Sequence, residues 1–137
     1  VVETWDVMDD SVRMLVVDAA NVVGSRPDGW WRDRAGAAHR LLTGVAALRA
    51  QLPCEVVVVL EGAAKAVDDN TFRNLRVVRA AGSGDDTIVA VTAERDDRTQ
   101  VLVVTADRGL RTRVEALGAR TTGPRWLLDR IDSARNP

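Results

Sequence analysis

Met14-Leu15-Val16-Val17-Asp18-Ala19-Ala20-Asn21 decides the fold. A short, unbroken apolar run that ends on a carboxylate reads as a strand buried on both faces, with polar chemistry at its carboxyl end. The pattern returns twice. Val56 to Leu60 ends at Glu61, and Val101 to Val104 runs into Thr105-Ala106-Asp107. Leu75 to Val78 is a weaker fourth run and Ala119 to Thr122 a fifth.

The stretches between these runs carry helical spacing. Trp31, Ala35, Ala38, Leu42, Val45 and Leu48 recur every three or four residues, which predicts a helix over 31–52 stopped by Pro53. Trp31 is expected to pack on the sheet and Trp126 in the core. Gly36 and Gly44 inside this helix are expected to mark close packing on the sheet. Ile88, Val91 and Thr92 mark a second helix opened by Gly84-Asp85. Leu110, Val114 and Leu117 mark a third, closed by Gly118. Trp126, Leu127 and Ile131 mark a last, short one after Gly123-Pro124. Alternating strands and helices imply an α/β fold: a three-layer α/β/α sandwich around a central parallel sheet of about five strands. Residues 13–134 are expected to form one domain. Segment 1–12 is expected to be flexible, and Ser133 to Pro137 loosely held.

Composition narrows the function. The chain has 137 residues, enough for one sizeable core, with 46% hydrophobic and 28% charged residues. Nineteen basic residues face 20 acidic ones, for a net charge of −1, so the chain does not coat nucleic acid by bulk charge. A local basic groove is compatible with that balance. Cys54 is the one cysteine, which excludes an intrachain disulfide and a CxxC zinc site. His39 is the one histidine, expected to be solvated or at the core edge rather than catalytic. No apolar stretch approaches the length of a membrane span and no signal-peptide layout opens the chain, so a cytoplasmic protein without membrane contact is expected.

The carboxylates carry the functional signal. Asp18, Glu61 and Asp107 close predicted strands, and Asp85 and Asp86 open a helix. In an open parallel sheet these positions share one edge, where ligands bind. Clustered like charges need a partner, and an oxygen-only set suits Mg²⁺ or Mn²⁺. Plainer roles compete. Asp85, Asp86 and Asp107 each suit a helix N-terminus. Asp18, at the end of the most apolar strand, is harder to explain without a use.

The segment Val16-Val17-Asp18-Ala19-Ala20-Asn21-Val22-Val23 resembles the first-strand motif of NYN domains, which are PIN-like nucleases. Gly82-Ser83-Gly84-Asp85-Asp86-Thr87-Ile88 resembles a motif of their YacP-like branch. So does Val103-Val104-Thr105-Ala106-Asp107-Arg108-Gly109-Leu110, followed by Leu117-Gly118-Ala119. Val57 to Glu61-Gly62 stands in place of that branch's strand ending in Asp-Gly. The matches fall in family order across about residues 14–128. Two departures stand out: Glu61 replaces an aspartate, and Ala19 replaces the glycine after the first aspartate.

The resemblance implies a metal-dependent ribonuclease with Asp18, Asn21, Asp86 and Asp107 in the catalytic site. The metal set would comprise Asp18, Glu61, Asp85, Asp86 and Asp107, holding Mg²⁺ or Mn²⁺. Arg26, Trp30, Arg32 and Arg108 are the expected RNA contacts, by stacking and phosphate binding. Single-stranded RNA is the expected partner, with the ribosome as a candidate setting. The alternative is a non-catalytic PIN-like module that binds RNA or a ribonucleoprotein. An aspartyl phosphatase wants a second aspartate where Ala20 stands, and a receiver domain wants a late lysine where the chain has only Lys65, in mid-chain.

Overall fold

The computed structural model describes residues 8–135. Strands β1 (Met14–Asp18), β2 (Glu55–Leu60), β3 (Arg76–Arg79), β4 (Val101–Val104) and β5 (Arg120–Thr122) form one sheet in the order β3-β2-β1-β4-β5. Every neighbouring pair is parallel. Val16 of β1 sits in register with Val57 of β2 and Val103 of β4.

Strand alternation sorts the side chains into two cores. Leu15, Val17, Val58, Leu60, Leu102 and Val104 face helices α1 (Ala19–Gly24), α2 (Arg34–Arg49) and α5 (Pro124–Arg135). Val16, Val57, Val59 and Val103 face α3 (Gly84–Ala93) and α4 (Arg108–Ala116), which contribute Ile88, Val91, Leu110 and Val114. This is the expected three-layer sandwich, with helices on both faces. Burying a valine or leucine stabilises by ~1.5–3 kcal/mol each, so the central strands have ample reserve to hold a polar group at their ends. Cys54 is buried, as expected of a small hydrophobe.

Several boundaries differ from the sequence reading. Helix α2 begins at Arg34, not residue 31, because the Asp33 side chain accepts a hydrogen bond from the Gly36 N–H and caps it there. Trp30–Arg32 form a separate 3₁₀ turn. Trp31 therefore does not pack on the sheet and is 55% exposed. The helix also ends at Arg49, before Pro53 is reached. Gly44 packs closely, but against Ile131 of α5 rather than the sheet: an added Cβ would meet Ile131 Cγ2 at 2.6 Å. Gly36 faces its own cap, Asp33. Trp126 is only partly buried, packed against the core's margin, with Arg130 over its ring at 4.8 Å. His39 is exposed and meets the Phe72 ring edge-on. Helix α1 was not anticipated.

The described residues reach close to both ends. Positions 1–7 and 136–137 lie outside the described residues, but Val12 is fully buried and Asp9 accepts from Arg120 at 3.0 Å. Ser133 to Arg135 continue helix α5. At the sheet margins, Arg76 of β3 pairs with Glu94 at 2.8 Å, and Arg79 reaches Asp69 at 3.3 Å and the carbonyls of Lys65 and Val67. Among the described residues, no helix is long and apolar enough to cross a membrane.

Candidate active site

Strand order reverses at β1. The chain builds outward through β2 and β3, then crosses back to place β4 on the other side. A crevice forms outside the carboxyl ends of β1 and β4, the usual ligand position in such sheets. Asp18 ends β1 there and is only 5% exposed. It also opens α1, accepting from the Asn21 backbone N–H at 3.4 Å.

Thr105, just past β4, ties the crevice together. It is fully buried. Its hydroxyl donates to Asp18 Oδ2 at 2.9 Å and accepts from the Asp107 N–H at 3.1 Å. Its carbonyl accepts from Arg111 Nε at 2.8 Å. The Asn21 amide oxygen accepts from the Ala106 N–H at 2.8 Å. These bonds lock the loop after β4 to the start of α1. Asp107 opens α4 by accepting from the Leu110 N–H at 3.0 Å, a capping role compatible with a second use. Arg108 follows in the first turn of α4, exposed at the mouth.

Glu61 and Asp85 arrive from the other side. Serine 83 caps α3, and Gly84 and Asp85 form its first turn. The Glu61 carboxylate lies directly over Gly84, where an added Cβ would stand 2.5 Å from Glu61 Oε1. Asp85 lies within the electrostatic reach of Asp107 and Glu61. Burial raises its pKa first, and those two carboxylates raise it further. Burial is also the main cause that raises the Asp18 pKa. The Thr105 and Asn21 hydrogen bonds oppose that rise, while the charges of Asp85 and Glu61 add to it. Asp18, Glu61, Asp85 and Asp107 thus share one electrostatic neighbourhood.

Asp86 stands at the margin of it, and its charge also raises the Asp85 pKa. One residue along α3 from Asp85, Asp86 turns outward, with its side chain 73% exposed, and pairs with Arg113 at 3.0 Å. Among the described residues, no three carboxylates are already arranged to hold a metal ion. The donor set is nonetheless all oxygen, and burial first, then neighbouring carboxylates, raise the pKa of Asp18 and Asp85 within it, an environment that a hard cation suits.

Beside the crevice runs a groove of about 770 Å³ between α1 and α5, reached past Asn21 and Ala106. Trp30 forms part of its wall, its ring edge 3.8 Å from where a Gly24 side chain would start. Arg26 lines the groove and pairs across it with Asp132 at 3.4 Å. Arg32 lies elsewhere, stacked over the exposed Trp31 ring at 5.7 Å, and Arg34 stacks over Trp30 at 5.2 Å.

No family model matches the chain, and no curated protein does. Solved structures do. The crystal structure of Rae1 (YacP) from Bacillus subtilis superposes with a TM-score of 0.74 at 22% identity, over 93% of this chain and 76% of that one. Its W164L mutant gives 0.75 at 21% identity, over 90% and 77%. The fold is YacP-like. The YacP-like fold expected from the ordered motifs is therefore present.

Sequence reasoning missed Thr105, although it stood inside a quoted motif, because a hydroxyl one residue past a strand has no distinctive pattern. It also passed over Arg125 and Asp129, which line the groove from α5.

Proposed function

We propose that this protein is a metal-dependent ribonuclease acting on single-stranded RNA, free or ribosome-bound, in the cytoplasm. One observation supports the reading: Asp18, Glu61, Asp85 and Asp107 lie within electrostatic reach of one another at the sheet's order reversal, beside a groove large enough for a nucleotide. Asp18, Glu61, Asp85 and Asp107 would hold Mg²⁺ or Mn²⁺, with Asp85 in the place first given to Asp86. When bound, such a cation supplies an activated water and offsets charge at the phosphate.

The protein's own groups do the rest. Thr105 and Asn21 fix the spacing between the β1 and β4 loops, so Asp18 and Asp107 keep their separation as substrate enters. Arg108, at the mouth, is placed to meet a backbone phosphate, and Trp30 offers a ring for an unstacked base. Exposed bases and a reachable backbone favour single strands over a duplex.

The test is cleavage of labelled single-stranded RNA in Mn²⁺. EDTA is expected to stop it. Asp107→Asn is expected to lower turnover at least about a hundredfold, the scale of losing a group that stabilises developing charge. RNA binding without any cleavage in Mn²⁺ would overturn the enzyme reading in favour of a binding module.

A further inference from the structure

A groove of about 770 Å³ runs between α1 and α5 beside the crevice. Pro124, Arg125, Leu128, Asp129 and Asp132 line it from one face of α5, at successive spacings of one and three residues. Leu127 and Ile131 turn the opposite way, into the core. The edge of the Trp30 ring stands 3.8 Å from where a Gly24 side chain would start. The Arg26–Asp132 ion pair bridges the groove some eight residues along α5 from Pro124, about 12 Å from the crevice end. A cleft bridged that near its entrance suits a short insertion rather than a long strand.

Its charges are ordered along its length. Arg125 stands toward the crevice and Asp129 one helical turn further in, roughly 6 Å on. Among the described residues, neither is engaged in an ion pair or hydrogen bond. A cation near the carboxylate site and an anion deeper inside suit a ligand that is negative at one end and a hydrogen-bond donor at the other. A nucleotide whose base carries N–H groups on its pairing edge has that polarity.

We propose that this groove is a base-reading subsite that favours guanine next to the cleaved phosphate. The inference rests on the ribonuclease reading for its place beside the site. Arg125 meets the nucleotide's phosphate, Trp30 stacks on the base, and Asp129 accepts from the guanine pairing edge. An ionised carboxylate only accepts, and its two oxygens match guanine's two adjacent N–H donors. Adenine and cytosine present one amino group, while uracil presents a single N–H flanked by carbonyls that a carboxylate repels. Guanine is therefore preferred and uracil least accepted.

Fluorescein-labelled pentaribonucleotides UUGUU and UUUUU, titrated in EDTA and followed by anisotropy, test it. UUGUU is expected to bind at least about fivefold tighter, the low end of discrimination by one bidentate contact. In Asp129→Asn the gap is expected to fall below about twofold, with the melting temperature unchanged because Asp129 is exposed. Trp30→Ala is expected to weaken both pentamers. Equal affinities for the two, including no measurable binding of either, or a gap that survives in Asp129→Asn, overturn the subsite. Cleavage of the same pentamers in Mn²⁺ is scored separately. Cleavage without base preference would remove the subsite and leave the nuclease, whereas guanine preference without cleavage would do the reverse.

Discussion

Asp18 is the residue on which the site's cost concentrates. Its carboxylate is buried at the end of an apolar strand, near the like charges of Asp85 and Glu61, and one hydroxyl and one N–H only partly compensate. Its folded pKa is raised, so the folded state binds its proton more tightly than the unfolded chain does. The linked stability is fully present below the ordinary value near 3.8 and is lost as pH rises through the raised folded value. Asp18→Asn removes that penalty. Without metal, the variant is expected to be more stable than the parent at neutral pH by about 1–3 kcal/mol, the scale of an undercompensated buried polar group. The advantage is expected to shrink as pH falls through that window. Thermal melts of both proteins across pH in EDTA measure the difference, and an advantage that does not change with pH would remove ionisation as its cause. Asp9 runs the other way. Hydrogen bonds from Arg120 and then Ser11 hold its carboxyl well below the usual range, so its contribution is lost as pH falls from the ordinary value near 3.8 into strong acid, equally in parent and variant, and cancels in the comparison.

At the scale of elements, α3 is positioned so that its first turn meets Glu61. Gly84 makes that approach possible, and Gly84→Ala would push the Glu61 carboxylate aside. Because the obstacle is the end of a flexible side chain, the fold should tolerate the change. Replacing glycine there is expected to shift stability by no more than about 1 kcal/mol in either direction. RNA turnover is expected to fall several-fold or more while RNA affinity holds, which denaturant titration, binding and kinetics would separate. Strands β1, β2 and β4 were legible because runs of valine and leucine have few other uses. Helix α1 was not, since six residues straight after a strand give too little periodicity to register. Trp31 misled because its spacing to Ala35 and Ala38 is helical by coincidence, and only the Asp33 cap shows that the helix starts later. The choice between Asp85 and Asp86 turns on about 100° of helix rotation. No residue pattern fixes that angle, whereas the packing of Ile88 and Val91 on the sheet does. Position at the strand ends thus told which loops hold the carboxylates, and only packing told which carboxylate of a pair faces inward.

For the whole molecule, the proposed metal site predicts that stability depends on the solution's cations. A cation held by the folded arrangement and not by the unfolded chain stabilises by mass action, so Mn²⁺ or Mg²⁺ is expected to raise the melting temperature. The effect is expected to reach about 2.7 kcal/mol at a hundred times the dissociation constant. EDTA is expected to reverse it, and Asp18→Asn to blunt it; a variant that responds like the parent would remove Asp18 from the set. A last consequence follows from the arginines at the sheet margins. Each outer strand, three or four residues long, offers a row of unpaired backbone groups on which a foreign strand could grow. Arg76 and Arg79 on one margin and Arg120 on the other carry bulky, hydrated, charged side chains held by Glu94, Asp69 and Asp9. A sheet this rich in valine, repeated from chain to chain, would be a ready seed for fibrils. Short outer strands fenced with pinned arginines resist that growth, so replacing them with apolar residues trades a few weak surface pairs for a protein that precipitates on storage.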